Sequence, residues 1–198
     1  MLKNIVLDCD GVILDWHLGF YDWMRAQGHT VTHPYPTDYA MTQAHPGKSK
    51  DEIWANIPIF NRSPDFGRLA PCDGAEDGIR SLKARFPATP ITVLTSVGDA
   101  PETRLMRRES LAHLPIDELI LVPLGVSKRS WLEKFTGPAL LVEDHPGHAT
   151  DAAELGFTSI LIDRPWNRDL DDPQIERARS WAEIVAIAAR RFPGNRAA

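Results

Sequence analysis

Two carboxylates that lie one residue apart, Asp8 and Asp10, have the clearest chemical potential in this sequence. They follow a short apolar run at residues 5–7 and precede Gly11, which allows a sharp turn with the backbone close to a ligand. Like charges at this spacing are costly unless a cation neutralises them, and Mg²⁺ prefers carboxylate and carbonyl oxygens. The stretch therefore predicts a metal site, and the alternative is a glycine turn that carries two surface acids.

Three further sets of polar residues follow apolar runs, the second of them after a short loop: Thr95-Ser96, Lys128 and Glu143-Asp144. Each set has an alternative explanation. A Thr-Ser pair caps a helix, a loop lysine is solvated, and an acidic pair is favourable at a helix N-terminus. In open parallel sheets, however, ligands bind at the carboxyl ends of the strands. The order of the sets therefore predicts that they converge on one site.

The elements that must position these residues are short strands and amphipathic helices in alternation, the pattern of an α/β fold. The predicted strands are 5–7, 91–94, 119–122, 139–142 and 158–162, and the predicted helices are 75–86, 101–111, 146–155 and 180–191. The helix at 101–111 is basic, with Arg104, Arg107 and Arg108. We therefore expect an α/β fold whose core is a Rossmann-like parallel sheet.

The segment between the first and second strands has a different pattern. Trp16, Phe20 and Trp23 recur at helical spacing, and Ser49 with Glu52 has the spacing of a capping box. We interpret residues 15–70 as a small helical cap inserted into a core domain made of residues 1–14 and 71–198. The simplest explanation of Phe20 and Trp23 is that they form the apolar core of this cap.

Taken together, the four sets resemble the four motifs of the haloacid dehalogenase-like (HAD) hydrolases, with a C1-type cap between the first and second motifs. The resemblance implies that Asp8 is a nucleophile and Asp10 a general acid/base. It also implies that Mg²⁺ is held by Asp8, the Asp10 backbone carbonyl and Asp144, with Glu143 acting through water. Since dehalogenases need no acid/base at Asp10, a phosphatase that forms an aspartyl-phosphate is the better fit.

The same resemblance assigns the phosphate-binding residues. Thr95 or Ser96, together with Lys128, would bind the phosphate oxygens on which transition-state charge is spread. Mg²⁺ would shield the nucleophile from the negative charge of the phosphate.

Within this superfamily the chain looks most similar to the 5′(3′)-deoxyribonucleotidases. The similarity lies in an aromatic residue soon after the first motif, Trp16, in Trp54 and Phe66 of the cap, and in the Ser-Trp-Ala-Glu run at 180–183. It implies a (deoxy)nucleoside monophosphate substrate, with Trp16 stacking on the base and Phe66 as a further substrate-binding residue. Val97 and the Glu-Asp pair at 143–144 depart from the pattern of that family.

Two observations leave the function open. The cap selects the substrate, so a sugar phosphate or another small phosphoester is an alternative. A non-catalytic nucleotide-binding protein on the same fold is a third hypothesis, although the complete set of acids and Lys128 argues against it. The segment Arg164-Pro165-Trp166-Asn167 also looks similar to the family but has no role in this scheme.

Composition narrows the partners and the compartment. The net charge is −5 and no Lys/Arg-dense block occurs, which argues against binding to a nucleic-acid polymer. Cys9 and Cys72 are too few for a disulfide framework and are consistent with a reducing compartment. Because we find neither a signal peptide nor an apolar run of transmembrane length, we expect a cytoplasmic protein with no membrane partner. Homodimerisation is left open.

Overall fold

The structure, a computed structural model, describes residues 1–193 of the chain. Its centre is a six-stranded parallel sheet of order β3-β2-β1-β4-β5-β6. The strands are β1 (Asn4–Leu7), β2 (Ile91–Thr95), β3 (Glu118–Leu121), β4 (Ala139–Glu143), β5 (Thr158–Ile162) and β6 (Ile175–Ala178). The predicted α/β fold with a Rossmann-like parallel sheet is confirmed.

Helices cover both faces of the sheet. After the first strand they are α1 (Trp16–Ala26), α2 (Lys50–Trp54), α3 (Ile57–Phe60), α4 (Ala75–Arg85), α5 (Pro101–Leu111), α6 (Arg129–Leu132), α7 (Pro146–Glu154) and α8 (Trp181–Arg191). Ile5 and Leu7 pack in the cluster that contains α4 and α8, whereas Val6 packs with Leu132 of α6 and Ala152 of α7. Burial on both faces is why the strand reads as a continuous apolar run.

Strand β6 was not predicted from the sequence. Its four residues place Glu176 and Arg177 between two apolar ends, so no apolar run marks it. It lies at the edge of the sheet, where Ile162 pairs in register with Ala178. The Glu176 carboxylate accepts a hydrogen bond from Arg190 of α8 at 2.8 Å. The strand was not predicted because its two charged residues interrupt the apolar pattern, which is compatible with its position at the edge of the sheet.

The segment between β1 and α4 is mostly helical, with 3₁₀ turns at 42–44 and 66–68. The predicted capping box is present, because the Glu52 carboxylate accepts from the Ser49 amide at 2.8 Å and the Ser49 hydroxyl accepts from the Glu52 amide at 3.2 Å. The aromatic stripe of α1 packs around the buried Phe60 and belongs to the same apolar cluster as the first strand. The division into a core and an inserted cap stays a prediction.

Among residues 1–193, no helix combines the length and the apolarity needed to cross a bilayer.

Candidate active site

Three adjacent strands, β2, β1 and β4, bring most of the predicted site residues together, and the loop after β3 adds Lys128. Strand β1 pairs with both β2 and β4, so that Leu7 lies in register with Val93 on one side and Val142 on the other. The residues that follow these strands meet at one edge of the sheet, beside a cavity of about 520 Å³. Seven of the predicted site residues line it: Asp8, Asp10, Trp16, Thr95, Ser96, Lys128 and Asp144.

Gly11 is required where the loop after β1 meets the loop after β4. Its backbone has a φ of +79°, and a Cβ at this position would lie 2.3 Å from Oδ2 of Asp144. Only glycine fits both the left-handed backbone and this close approach. The glycine of the first motif therefore makes room for Asp144.

Lys128 is buried between two of the carboxylates. Its Nζ lies 2.8 Å from Oδ1 of Asp8 and 2.5 Å from Oε1 of Glu143. Burial opposes the charge of the ammonium group, but the two carboxylates raise the pKa of Lys128 above its ordinary value. Lys128 is therefore a permanent cation at the site, and it contacts the predicted nucleophile directly.

Glu143 is fully buried, and both of its carboxylate oxygens accept hydrogen bonds. Besides the Lys128 contact, Oε2 accepts hydrogen bonds from the backbone amides of Asp144 at 2.8 Å and His145 at 2.9 Å. Burial would raise the pKa of Glu143, yet the neighbouring Lys128 cation and these hydrogen bonds lower it to about 2. Glu143 is therefore ionised, and it orients the loop that carries Asp144.

Three buried carboxylates lie close enough together to favour a bound cation. One carboxylate oxygen each from Asp8, Glu143 and Asp144 lies within 4.8 Å of the others. Burial and the charge of Glu143 raise the pKa of Asp8 to about 7, and the same causes raise the pKa of Asp144 well above its ordinary value. A hard divalent ion would relieve this repulsion, and the all-oxygen donor set fits Mg²⁺. Asp8 and Asp144 are the side chains that would hold it.

We expect Asp144→Asn to weaken Mg²⁺ binding by at least about tenfold, because a charged oxygen ligand is lost. The metal-free protein should keep its melting temperature, since burial and like charges already raise the pKa of Asp144. Isothermal titration calorimetry and thermal unfolding measure the two quantities. The exposed Asp73→Asn is the matched control and should change neither. Unchanged Mg²⁺ affinity with a lower melting temperature would instead make Asp144 a structural residue at the start of α7.

The side chain of Asp10 lines the cavity and forms an ion pair with Arg107. Its Oδ1 accepts a hydrogen bond from Nη2 of Arg107 at 2.6 Å. Burial raises the pKa of Asp10, and the Arg107 cation partly opposes this shift. Sequence reasoning missed Arg107 as a site residue. The available signal was its spacing, because Thr103, Arg107 and Leu111 form the buried face of α5.

The hydroxyl groups of Thr95 and Ser96 are buried beside the cavity. Neither has a hydrogen-bond partner among residues 1–193. Buried hydroxyl groups are normally paired, so two unpaired ones at the same strand end are suited to a bound ligand. Thr95 ends β2 and Ser96 follows it, and both residues line the same cavity as Lys128.

The two predicted substrate-binding residues have different positions. Trp16 lines the cavity but is only 7% exposed, and its ring stacks on Phe20 with the centroids 4.8 Å apart. Its Nε1 donates to Asn61 at 2.9 Å. The structure does not bring Phe66 to the cavity wall. Phe66 is fully buried, and its ring centre lies 4.2 Å from the Arg107 guanidinium.

Two more aromatic residues line the cavity, Tyr39 and Trp54. Tyr39 is 45% exposed and packs edge-on against His145 with the ring centroids 4.6 Å apart. Sequence reasoning missed Tyr39 because it lies in a segment without periodicity. One face of Trp54 is covered by Lys50, whose Nζ lies 4.1 Å from the ring centre.

The segment at 164–167 holds the two active-site loops. Arg164 donates two hydrogen bonds to the Gly11 carbonyl, from Nε at 3.0 Å and Nη2 at 2.6 Å. Asn167 is buried and donates from Nδ2 to the backbone carbonyls of Asp144 at 2.9 Å and Ile162 at 2.8 Å. This segment therefore joins the end of β5 to the loops after β1 and β4, which accounts for a run that the sequence scheme left without a role.

Comparison with known proteins supports the fold assignment. No protein-family model matches the sequence, and no curated protein matches it significantly. The structure is similar to a HAD-superfamily hydrolase, subfamily IA, variant 1, from Geobacter sulfurreducens PCA, with a TM-score of 0.58, 17% identity, and coverage of 94% of this chain and 100% of that chain.

A HAD family hydrolase from Deinococcus radiodurans R1, solved with bound phosphate and sodium, matches with a TM-score of 0.54 and 14% identity over 96% of each chain. At these identities the comparison establishes the fold. The chain has the fold of HAD-superfamily hydrolases, as its motifs predicted, and the narrower resemblance to deoxyribonucleotidases stays a prediction.

Proposed function

We propose that this protein is a Mg²⁺-dependent phosphomonoesterase that acts through an aspartyl-phosphate on Asp8. The observation that carries the proposal is the content of one cavity, where Asp8, Asp10, Ser96, Lys128 and Asp144 meet. Nucleophile, acid/base, hydroxyl donor, buried cation and metal-ligating carboxylate are the parts that phosphoryl transfer requires.

The reaction divides into two steps. In the first, an Asp8 oxygen forms a bond to phosphorus while the bond from phosphorus to the ester oxygen breaks, and Asp10 gives its proton to the departing alkoxide. In the second, Asp10 takes a proton from water, whose oxygen attacks phosphorus and releases inorganic phosphate and the Asp8 carboxylate. Bound Mg²⁺ would neutralise the repulsion between Asp8 and the phosphate.

The groups that would hold the phosphate are buried and already in place. The hydroxyl groups of Thr95 and Ser96 have no partner within the described part of the chain. The Lys128 ammonium group is next to the nucleophile. Donors that are fixed before the substrate arrives need no reorganisation when negative charge develops, which is the main source of catalysis in such sites.

We propose a (deoxy)nucleoside monophosphate as the substrate. Besides the acids, the cavity wall contains apolar and aromatic side chains, those of Trp16, Tyr39, Met41, Trp54 and Ile57. A volume of about 520 Å³ is within the range of small-molecule sites. A planar base would bury its faces against such a wall while the 5′-phosphate reaches Asp8.

One observation favours the sugar phosphate alternative. Because Trp16 is 7% exposed and Phe20 covers one face of its ring, little of the indole is available for stacking.

A screen of nucleoside monophosphates, sugar phosphates and p-nitrophenyl phosphate, with and without Mg²⁺, tests the proposed function. No hydrolysis of any ester in the presence of Mg²⁺ would overturn it.

Substitution of Trp16 separates the two substrate classes. If Trp16 stacks on a base, Trp16→Ala should reduce kcat/KM for a nucleotide by roughly 5- to 150-fold, which corresponds to about 1–3 kcal/mol of stacking. Ribose 5-phosphate, which lacks a base, should be hydrolysed almost normally.

Trp23→Ala is the matched control, because Trp23 belongs to the same aromatic stripe but is not among the cavity-lining residues of the described chain. It should lower the melting temperature without changing the ratio of the two kcat/KM values. Equal losses on both esters in Trp16→Ala would make Trp16 a core residue and favour the sugar phosphate.

A further inference from the structure

Arg107 has an unusual environment for an arginine. Its side chain is fully buried, and within residues 1–193 its only ion pair is the 2.6 Å contact with Oδ1 of Asp10. Its Nε and Nη1 have no hydrogen-bond partner in the same part of the chain. A buried guanidinium with a single polar contact is costly to desolvate. Folding stability alone therefore gives little reason to place an arginine here.

The contact is held from a second element. The Arg107 guanidinium carbon lies 4.2 Å from the centre of the Phe66 ring, and Phe66 packs edge-on against Phe60. Cation–π stacking fixes the plane of a guanidinium group. The direction of the Nη2 donor is thus set by α5 and by the 3₁₀ turn at 66–68, neither of which belongs to the catalytic loop.

We infer that Arg107 is a positioning residue for Asp10, and that Phe66 acts through Arg107. The hydrogen bond engages one carboxylate oxygen of Asp10 and leaves the other for the ester oxygen of the substrate. The inference rests on the proposed phosphatase function. It also gives Phe66 a role that differs from the direct substrate contact predicted from the sequence.

A purely structural ion pair and a positioning contact differ in a measurable way. General-acid catalysis matters in proportion to how much the leaving group needs a proton. The alkoxide of a sugar phosphate is a poor leaving group without one, whereas p-nitrophenolate departs unprotonated. Misplacement of Asp10 should therefore slow hydrolysis of the first ester much more than hydrolysis of the second.

The experiment compares kcat/KM for ribose 5-phosphate and p-nitrophenyl phosphate. In Arg107→Met, kcat/KM should fall roughly 100-fold for the alkyl ester, which is the low end of general-acid contributions. For the aryl ester kcat/KM should fall less than about fivefold. Phe66→Leu, which retains the guanidinium group, should also lose more activity on the alkyl ester than on the aryl ester, but by a smaller factor. Arg107→Lys should recover part of the kcat/KM that Arg107→Met loses on the alkyl ester. Arg108→Met, an exposed neighbour on α5, should change neither ester.

Equal losses on both esters in an Arg107→Met protein with a cooperative thermal transition would overturn the inference, and so would no loss on either. If Arg107→Met does not fold, the ratio of the two esters in Phe66→Leu and Arg107→Lys decides in the same way. A wild-type protein that hydrolyses neither these two esters nor a nucleoside monophosphate overturns the proposed function and this inference together. An active wild type with unselective variants overturns the inference alone.

Discussion

Asp8→Asn should reduce turnover to less than about one-thousandth of the wild-type rate, because an amide oxygen is a poor nucleophile for phosphorus. The fold should be kept. The substitution removes a carboxylate whose pKa is raised to about 7 by burial and by the charge of Glu143, so the neutral side chain relieves repulsion. Lys128 retains Glu143 as its partner at 2.5 Å.

The proposed role of Asp8 can be tested chemically as well as kinetically. With a ³²P-labelled ester and rapid quenching in acid, wild type should show transient label on the protein and Asp8→Asn none. When the labelled ester is p-nitrophenyl phosphate, whose leaving group needs no proton from Asp10, Asp10→Asn should retain label, because the base for the second step is missing. Asp22→Asn, an exposed acid on α1, serves as the control. Activity of Asp8→Asn above a few per cent of wild type would exclude Asp8 as the nucleophile.

Lys128→Met should produce the largest loss of stability, about 3–5 kcal/mol, because it removes one partner of a buried ion pair. The ammonium group lies between Asp8 and Glu143, and a third buried carboxylate, Asp144, is part of the same cluster. Since the destabilisation comes from ionised carboxylates, it should shrink as the pH falls, because the variant lacks the Lys128 charge that lowers the pKa of Asp8 and its acids therefore take up protons at higher pH than those of wild type. Phosphatase activity should be lost as well.

Chemical denaturation of four proteins measures this coupling: wild type, Lys128→Met, Glu143→Gln and the double variant. The double variant should be more stable than Lys128→Met, because the amide oxygen introduced by Glu143→Gln can still accept from the two backbone amides while one negative charge is gone. Lys134→Met, an exposed lysine after α6, controls for the loss of a surface charge. Additive effects would show that Lys128 does not stabilise the acids.

The sequence determined the positions of the site residues along the chain. Strands buried on both faces must be apolar throughout, so β1, β2, β4 and β5 were visible as short runs, and each run ends where polar residues begin. Parallel strands place those ends at one edge, which is why the four sets could be expected to meet from the sequence alone. Strand β6 could not be predicted from the sequence because its charged residues interrupt the apolar run.

Only the tertiary structure decided which groups contact each other. The 97 residues that separate Asp10 from Arg107 leave no periodic signal of their pairing, and an arginine within a basic helix is expected to be solvated. The same holds for Arg164 and the Gly11 carbonyl, 153 residues apart. Periodicity reports which side of an element is buried, but a buried charge finds its partner through the packing of elements distant in the chain. For this reason the contacts of Phe66, Arg107 and Asn167 are seen only in the fold, while Asp8 and Asp10 could be proposed as site residues from the sequence.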